Sequence, residues 1–182
     1  MPDVTTLLQR VRDGDDEALG RLVPLVYDQL RALARGQRRR QGAGDTVNTT
    51  ALVHEAYEKL ARGNGAYADR HHFFRVASRV MRSVIVDHAR AARAQKRGGD
   101  ARPLALDEER LVPAERAEEV LALDEALDRL AALSPRQGEV VQLRYFVGLT
   151  IPETADVLGV SPATVKREWT VARAWLHDAL AA

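Results

Sequence analysis

Apolar residues recur at steps of three and four along most of this 182-residue chain, and this spacing is the strongest constraint on its fold. Between residues 19 and 33 the leucines and valines keep that spacing over several turns, which predicts a long amphipathic helix. No segment shows the strict alternation of apolar and polar residues that is typical of a half-buried strand. The sequence therefore predicts an all-α protein.

Helix-breaking residues divide this pattern into two parts. Gly98, Gly99 and Pro103 end the first part, and the apolar spacing starts again at Val120. The segment between them is acidic and predicts a linker with at most one short helix. We expect a domain of four helices over residues 1–97, an acidic linker over residues 98–119 and a second domain of four helices over residues 120–182.

The net charge of +1 is the average of two opposed segments. Residues 70–97 are rich in arginine, whereas residues 100–128 are mostly acidic. Such blocks are often solvated faces. The alternative is a basic surface that binds a polyanion, with an acidic segment that does not touch it.

Several classes of protein are disfavoured by composition. The chain has no cysteine, which excludes disulfides, thiolate zinc sites and a cysteine nucleophile. His71 and His72 have no third ligand at a useful spacing, and Ser78 and Ser83 lack a nearby base or glycine elbow. We expect no metal, no cofactor and no enzymatic activity. The polar start and the lack of a long apolar run predict a cytoplasmic protein with no membrane segment.

The stretch IPETADVLGVSPATVKREW, residues 151–169, predicts two short helices joined by a tight turn. Ala155 is small where the helices approach, Gly159 suits a left-handed conformation, and Val160 fills the corner. Ser161 and Pro162 are residues that often start a helix. This pattern predicts a helix-turn-helix, and an ordinary helical hairpin is the alternative.

The last helix has two distinct faces in this prediction. Val165, Trp169, Ala172 and Leu176 share one face and are expected to pack inward. A helix presented in this way can enter the major groove of DNA. The residues expected to face the DNA are Pro162, Ala163, Lys166, Arg167, Thr170 and Arg173.

The basic helix over residues 72–97 predicts a second nucleic-acid surface. Phe73 and Phe74 lie next to its arginines, and Tyr67 is expected in an exposed loop before it. Aromatic rings that stack on bases, together with arginines that hold the backbone, are typical of proteins that bind single strands. The alternative is that one or both phenylalanines belong to the core.

Three stretches in this order resemble the extracytoplasmic-function sigma factors, small members of the sigma-70 family. TTALVHEAYEKLAR (49–62) resembles the helix that binds core RNA polymerase. HHFFRVASRVMRSVIVDHARAARAQKR (71–97) resembles the helix that reads the −10 element and opens the strands. The stretch from LSPRQGEVV to VARAWL (133–176) resembles the domain that reads the −35 element.

The resemblance implies a protein that brings core RNA polymerase to promoter DNA and assists melting. It implies polymerase contacts at Leu52, Val53, Glu55 and Tyr57. It implies −10 contacts at Tyr67, Arg79, Arg82, Ser83, Asp87 and Arg90, and −35 contacts at the six residues of the last helix given above. An anti-sigma factor is a common partner in the family. Many relatives have an acidic residue at the position of Ala51 and a basic residue at the positions of Glu168 and Val171.

Two other classes of protein compete with this interpretation. A stand-alone regulator with a sensing or dimerising first domain would bind a palindromic site without polymerase. The basic helix over residues 72–97 argues against it, because a sensor needs no second nucleic-acid surface. A helical adaptor that binds only protein does not explain the outward Lys166, Arg167 and Arg173.

Overall fold

The computed structural model describes residues 67–96 and 114–181, together with residues 6, 7, 10, 15, 17, 18, 21, 55, 56, 58–60 and 112. Helix dominates these residues and no strand occurs among them, so the prediction of an all-α protein is confirmed. The long helix predicted over residues 19–33, and Leu52, Val53 and Tyr57, lie outside the described part of the chain except for Arg21.

Five α-helices can be bounded. They are α1 (Arg70–Lys96), α2 (Ala117–Leu133), α3 (Pro135–Gln142), α4 (Ile151–Leu158) and α5 (Pro162–Ala181). A short 3-10 turn, Ala114–Arg116, leads into α2, and a π-helical turn, Leu143–Val147, extends α3. The second segment therefore becomes helical slightly before Val120, because the buried Ala117 already belongs to the apolar face of α2.

Side-chain hydrogen bonds cap the starts of α3 and α4. The hydroxyl of Thr150 accepts from the backbone N–H of Glu153 at 3.3 Å, and Glu153 Oε2 accepts from the N–H of Thr150 at 2.7 Å, which completes a capping box. Ser134 accepts from the N–H of Gln137 at 3.4 Å. The side chain of Gln137 does not complete a capping box with Ser134, because its amide donates to Glu168 Oε2.

The turn between α4 and α5 has the predicted chemistry. Gly159 has φ of 65°, and the N–H of Val160 donates to the carbonyl of Ala155 at 3.0 Å. Ala155, Val140 and Val165 form a small buried cluster inside the turn, and Val160 packs against it. The direction in which α5 leaves the turn is thus set by local hydrogen bonds and by packing on α3.

One larger cluster joins the two predicted segments. It contains Phe74 and Val84 of α1, Leu127 and Leu130 of α2, and Leu176 of α5. Val112, in the predicted linker, is also buried in it. The division into two domains stays a prediction, but the described parts of both segments share this core.

The packing brings acidic α2 against basic α1. Arg82 Nη2 lies 2.6 Å from Asp124 Oδ1, and both side chains are largely covered. The alternative in which the acidic segment does not touch the basic surface is therefore wrong at this contact. The basic helix α1 and the acidic helix α2 therefore attract each other, and both also contribute to the same apolar core.

Candidate nucleic-acid interface

The last helix exposes the predicted face. Val165, Ala172 and Leu176 are buried, and Trp169 is half-buried. The six side chains expected to face DNA are all exposed: Pro162, Ala163, Lys166, Arg167, Thr170 and Arg173. Their exposure is confirmed, and their contact with DNA stays a prediction.

Two arginine side chains lie near the ring of Trp169. The guanidinium carbon of Arg173 is 5.9 Å from the centre of the Trp169 ring, and that of Arg144 is 4.7 Å from the same centre. Such contacts favour particular orientations of the arginine side chain. The hydroxyl of Thr170 donates to the backbone oxygen of Lys166 at 2.9 Å, within the helix. Arg173 is therefore positioned by the tryptophan that anchors α5.

The sequence did not indicate the contacts of Glu168, an acidic residue on the same helix. Glu168 Oε2 accepts from the side-chain amide of Gln137 at 3.0 Å, and Glu168 Oε1 lies 3.1 Å from Arg167 Nη2. The hydrogen bond from Gln137, followed by that from Arg167, lowers the pKa of Glu168 below its usual value. Its side chain is 16% exposed, so this charge is held against α3.

Tyr67 does not lie in an exposed loop, and this expectation is wrong. The side chain is 6% exposed, its hydroxyl donates to the backbone oxygen of Leu60 at 3.0 Å, and its ring meets Phe73 edge to face at 5.1 Å. Burial also raises the pKa of Tyr67. An aromatic ring covers apolar surface while its hydroxyl needs one partner, and here the chain provides both.

Phe73 and Phe74 are both buried, so neither presents a stacking surface for a base. The alternative that both belong to the core is the correct one. The guanidinium carbon of Arg70 lies 5.4 Å from the centre of the Phe74 ring. The described surface of α1 therefore offers charged and hydrogen-bonding groups, and the phenylalanines at its start belong to the core.

The remaining −10 residues fall into two groups. Arg79 and Arg90 are exposed on α1, whereas Arg82 is 14% exposed. Asp87 Oδ2 accepts from the ammonium group of Lys59 at 3.1 Å and from the hydroxyl of Ser83 at 3.3 Å. Ser83 and Asp87 are thus close together and already bonded within the chain.

Glu55, expected to face polymerase, makes a contact that the sequence did not indicate. Its Oε2 lies 2.5 Å from Nε2 of His88 on α1, and its Oε1 lies 3.9 Å from Nζ of Lys59. The Glu55 side chain remains one-third exposed. A histidine near the middle of a basic helix was the available signal for a carboxylate partner.

Comparison with known proteins places these features in a family. The family model described as "ECF sigma factor" matches residues 1–182. The chain belongs to the ECF sigma factor family.

Two curated sigma factors are similar to this family member. The ECF RNA polymerase sigma factor BldN of Streptomyces coelicolor is 28% identical over 162 residues, which cover 88% of this chain and 59% of the relative. The probable RNA polymerase sigma factor RfaY of Xanthomonas campestris pv. campestris is 26% identical over 170 residues, 92% of this chain and 41% of the relative. The chain thus spans about half the length of these relatives. No solved structure matches it.

Two further observations concern the described part of this ECF sigma factor. Within it, no three histidine, aspartate or glutamate side chains are grouped as metal ligands would be. Its helices include none that is both long and apolar enough to cross a membrane.

Proposed function

We propose that this chain directs core RNA polymerase to specific promoters and assists the opening of promoter DNA. The exposed cationic face of α5, held by the turn at Gly159, is the observation that carries the proposal. Membership of the ECF sigma factor family supports it. An anti-sigma factor is a further partner proposed from the family.

The proposed −35 contacts come from α5. Pro162 and Ala163 at its amino end, with Thr170 further along, are exposed and small enough to approach base edges. Lys166, Arg167 and Arg173 are exposed cations that would bind phosphates. Glu168 is kept against α3 by Gln137, so its negative charge opposes the DNA less than a free carboxylate would.

The proposed −10 contacts come from α1. Arg79 and Arg90 are exposed and can bind the DNA backbone as the structure stands. Ser83 and Asp87 supply hydrogen-bonding groups next to them that can select a base. Tyr67 is left out of this proposal because its ring and hydroxyl are both used inside the fold.

The proposed polymerase contact includes Glu55, with Leu52, Val53 and Tyr57 kept as predictions outside the described residues. The exposed third of the Glu55 side chain is the part available to a partner. Nε2 of His88 lies 2.5 Å from the carboxylate oxygen Oε2. The contact with His88 would orient Glu55 for that partner.

In vitro transcription is the decisive test. Purified chain and core RNA polymerase are incubated with fragmented genomic DNA, and the transcripts are sequenced. The proposal expects discrete 5′ ends only when both proteins are present, with a common upstream motif. Retention of duplex fragments by the chain alone, without transcripts, would instead indicate a stand-alone regulator.

Arg167→Ala tests the role of α5 at the upstream element. We expect weaker transcription from promoters that contain the −35 element and no change on templates that lack it. Arg116→Ala is the matched control, because it removes an exposed cation from the turn before α2. An equal loss on both kinds of template would contradict the assignment.

Glu55→Gln tests the polymerase contact with little change of shape. We expect a lower affinity for core polymerase, measured by fluorescence anisotropy, because a charged acceptor is replaced by a neutral amide. His88→Gln is the companion variant, since it alters the same internal contact and keeps the Glu55 charge. Equal losses in both variants would show that Glu55 acts only inside the fold.

A further inference from the structure

A network of three side chains, Gln137, Glu168 and Arg167, extends from α3 to the exposed face of α5. The amide of Gln137 donates to Glu168 Oε2 at 3.0 Å, and Nη2 of Arg167 donates to Glu168 Oε1 at 3.1 Å. Each oxygen of the Glu168 carboxylate therefore accepts from a different helix. The side chain of Glu168 is 16% exposed, whereas that of Arg167 is 68% exposed. The network thus begins at a partly buried amide and ends at a guanidinium group that faces solvent.

The first member of this network has a fixed position. Gln137 lies in the first turn of α3, where its backbone N–H donates to the hydroxyl of Ser134 at 3.4 Å. The next residue, Gly138, is buried where α3 approaches α2. The Gln137 side chain is also the largest cause of the lowered pKa of Glu168. Glu168 therefore carries its charge at neutral pH and keeps it beside α3.

The contact between Glu168 and Arg167 matters for orientation more than for stability, because exposed ion pairs contribute little to the free energy of folding. The donors of a guanidinium group form a rigid planar fork. A hydrogen bond from Nη2 to the carboxylate therefore limits the directions in which the other donors of Arg167 point. Nη2 carries a second hydrogen, and this hydrogen and one on Nη1 remain available for another acceptor.

A guanidinium group held in this way suits a base edge. The carboxylate beside Arg167 offsets its positive charge, which weakens the non-directional attraction to the DNA backbone. A base edge is instead read by direction, and two hydrogen bonds from one arginine fit O6 and N7 of guanine in the major groove. Arg167 lies in the second turn of α5, and the first turns of a recognition helix are those that reach base edges.

We propose that Gln137 and Glu168 are positioning residues that orient Arg167 to select a guanine in the −35 element. Gln137 holds Glu168, Glu168 holds the guanidinium group, and this group contacts the base. Selection of a guanine goes beyond the attraction to phosphates that any exposed cation provides. The network is a feature of the free chain, whereas the base contact rests on the proposed function, in which α5 binds the −35 element.

The proposal sets the size of two effects. A bidentate contact of arginine with guanine discriminates against the other bases by about 5- to 150-fold. Residues of one hydrogen-bond network are coupled, and loss of one commonly changes the effect of another by about twofold or more. Removal of Gln137 or Glu168 should therefore reduce the preference for guanine by at least about twofold, although Arg167 is still present.

Nitrogen-15 NMR of the free chain tests the network without DNA. Arg167→Lys identifies the side-chain signals of Arg167 by their loss. We expect slow rotation of its guanidinium group in the unaltered chain, seen as separate signals of the Nη hydrogens. Rotation should be faster in both Glu168→Gln and Gln137→Leu. Equal rotation in the unaltered chain and the two variants would overturn the inference, even if the transcription assay succeeds.

Fluorescence anisotropy measures the base preference, with the chain bound to core RNA polymerase. Labelled promoter duplexes carry each base in turn at every position of the −35 element that the transcription assay defines. We expect a preference for guanine at one position, which Arg167→Ala abolishes and which Gln137→Leu and Glu168→Gln reduce. If Arg167→Ala changes no preference, or only a preference for another base, the inference is wrong while the sigma factor function stands.

Glu168→Gln gives a result that a damaged helix would not give. Without the carboxylate Arg167 regains its full charge, so duplexes that lack the guanine should bind more tightly, whereas a misfolded α5 would bind all duplexes more weakly. The matched control is Asp178→Asn, which removes one exposed acidic charge from the same helix. Equal gains in both variants would reduce the effect to net charge and overturn the proposal.

Two remaining outcomes are also decisive. If Gln137→Leu loses helical circular dichroism, Gln137→Asn replaces it, because the shorter side chain withdraws the amide from Glu168. The same direction of change is expected there, and unchanged rotation and base preference would overturn the proposal. If no discrete transcripts form, the proposed function fails and the selection of a base fails with it, while the rotation of Arg167 still decides the positioning role.

Discussion

Gly138 lies inside α3 at its closest approach to α2, and adding one methyl group there should destabilise the fold. A Cβ at this position would lie 2.9 Å from Ala131 Cβ and 3.1 Å from Ala131 Cα. Both atoms are fixed to the backbone of α2, so no flexible side chain can move aside. In an open helix, Gly→Ala stabilises by about 1 kcal/mol. Overpacking costs about 1–3 kcal/mol, and so close a contact with backbone belongs in the upper part of that range. We expect Gly138→Ala to lower the free energy of unfolding by about 1–2 kcal/mol.

Urea denaturation followed by circular dichroism measures this change. Ala131→Gly is the matched background, because it removes the methyl group that the new Cβ would meet. In that background the 2.9 Å contact is absent but the 3.1 Å contact with the Cα of residue 131 remains, so Gly138→Ala should destabilise less than in the unaltered chain. The difference between the two backgrounds is a coupling between the two positions. Stabilisation by Gly138→Ala in the unaltered chain would refute the close approach of α2 and α3.

Two further substitutions test the elements that hold α4 and α5. Thr150→Ala removes the hydroxyl that caps α4 and should lower the free energy of unfolding by about 1 kcal/mol in urea denaturation, with Thr150→Ser as the conservative control; equal losses in both would contradict the cap. Gln137→Leu removes the first cause of the lowered pKa of Glu168, so we expect that pKa to rise in a carbon-13 NMR titration. Because the folded-state pKa is lowered, ionised Glu168 contributes stability above about pH 4.3 that is lost as the pH falls through the folded-state pKa. In Gln137→Leu this contribution is smaller, and an unchanged pKa would show that Arg167 alone sets it.

The sequence predicts well those features of the structure that depend on a few neighbouring residues, such as helix caps and turns. Thr150 and Glu153 are three residues apart, and their capping box needs only that spacing at the start of a helix. Gly159 is at φ of 65°, a conformation that glycine adopts at little cost. The inward and outward faces of α5 follow from the 3.6-residue period. Each of these features is decided within one turn of chain.

Contacts between distant segments were not predictable in this way. Glu55 and His88 are 33 residues apart, and Arg82 and Asp124 are 42 apart. The charge blocks that contain the second pair were visible, but only the packing of α1 on α2 brings them together. Tyr67 was expected in an exposed loop, whereas its side chain is buried and its hydroxyl donates to the carbonyl oxygen of Leu60. A polar loop does not exclude a buried ring.

The two helices proposed to bind DNA differ in how available their cations are. Lys166 and Arg167 of α5 project from a face that no described helix covers, so duplex DNA can reach them without rearrangement. Arg82 of α1 faces an acidic helix and must first lose Asp124. In the proposed function, the exposed Arg79 and Arg90 of α1 therefore make the first −10 contacts, and Arg82 contributes less.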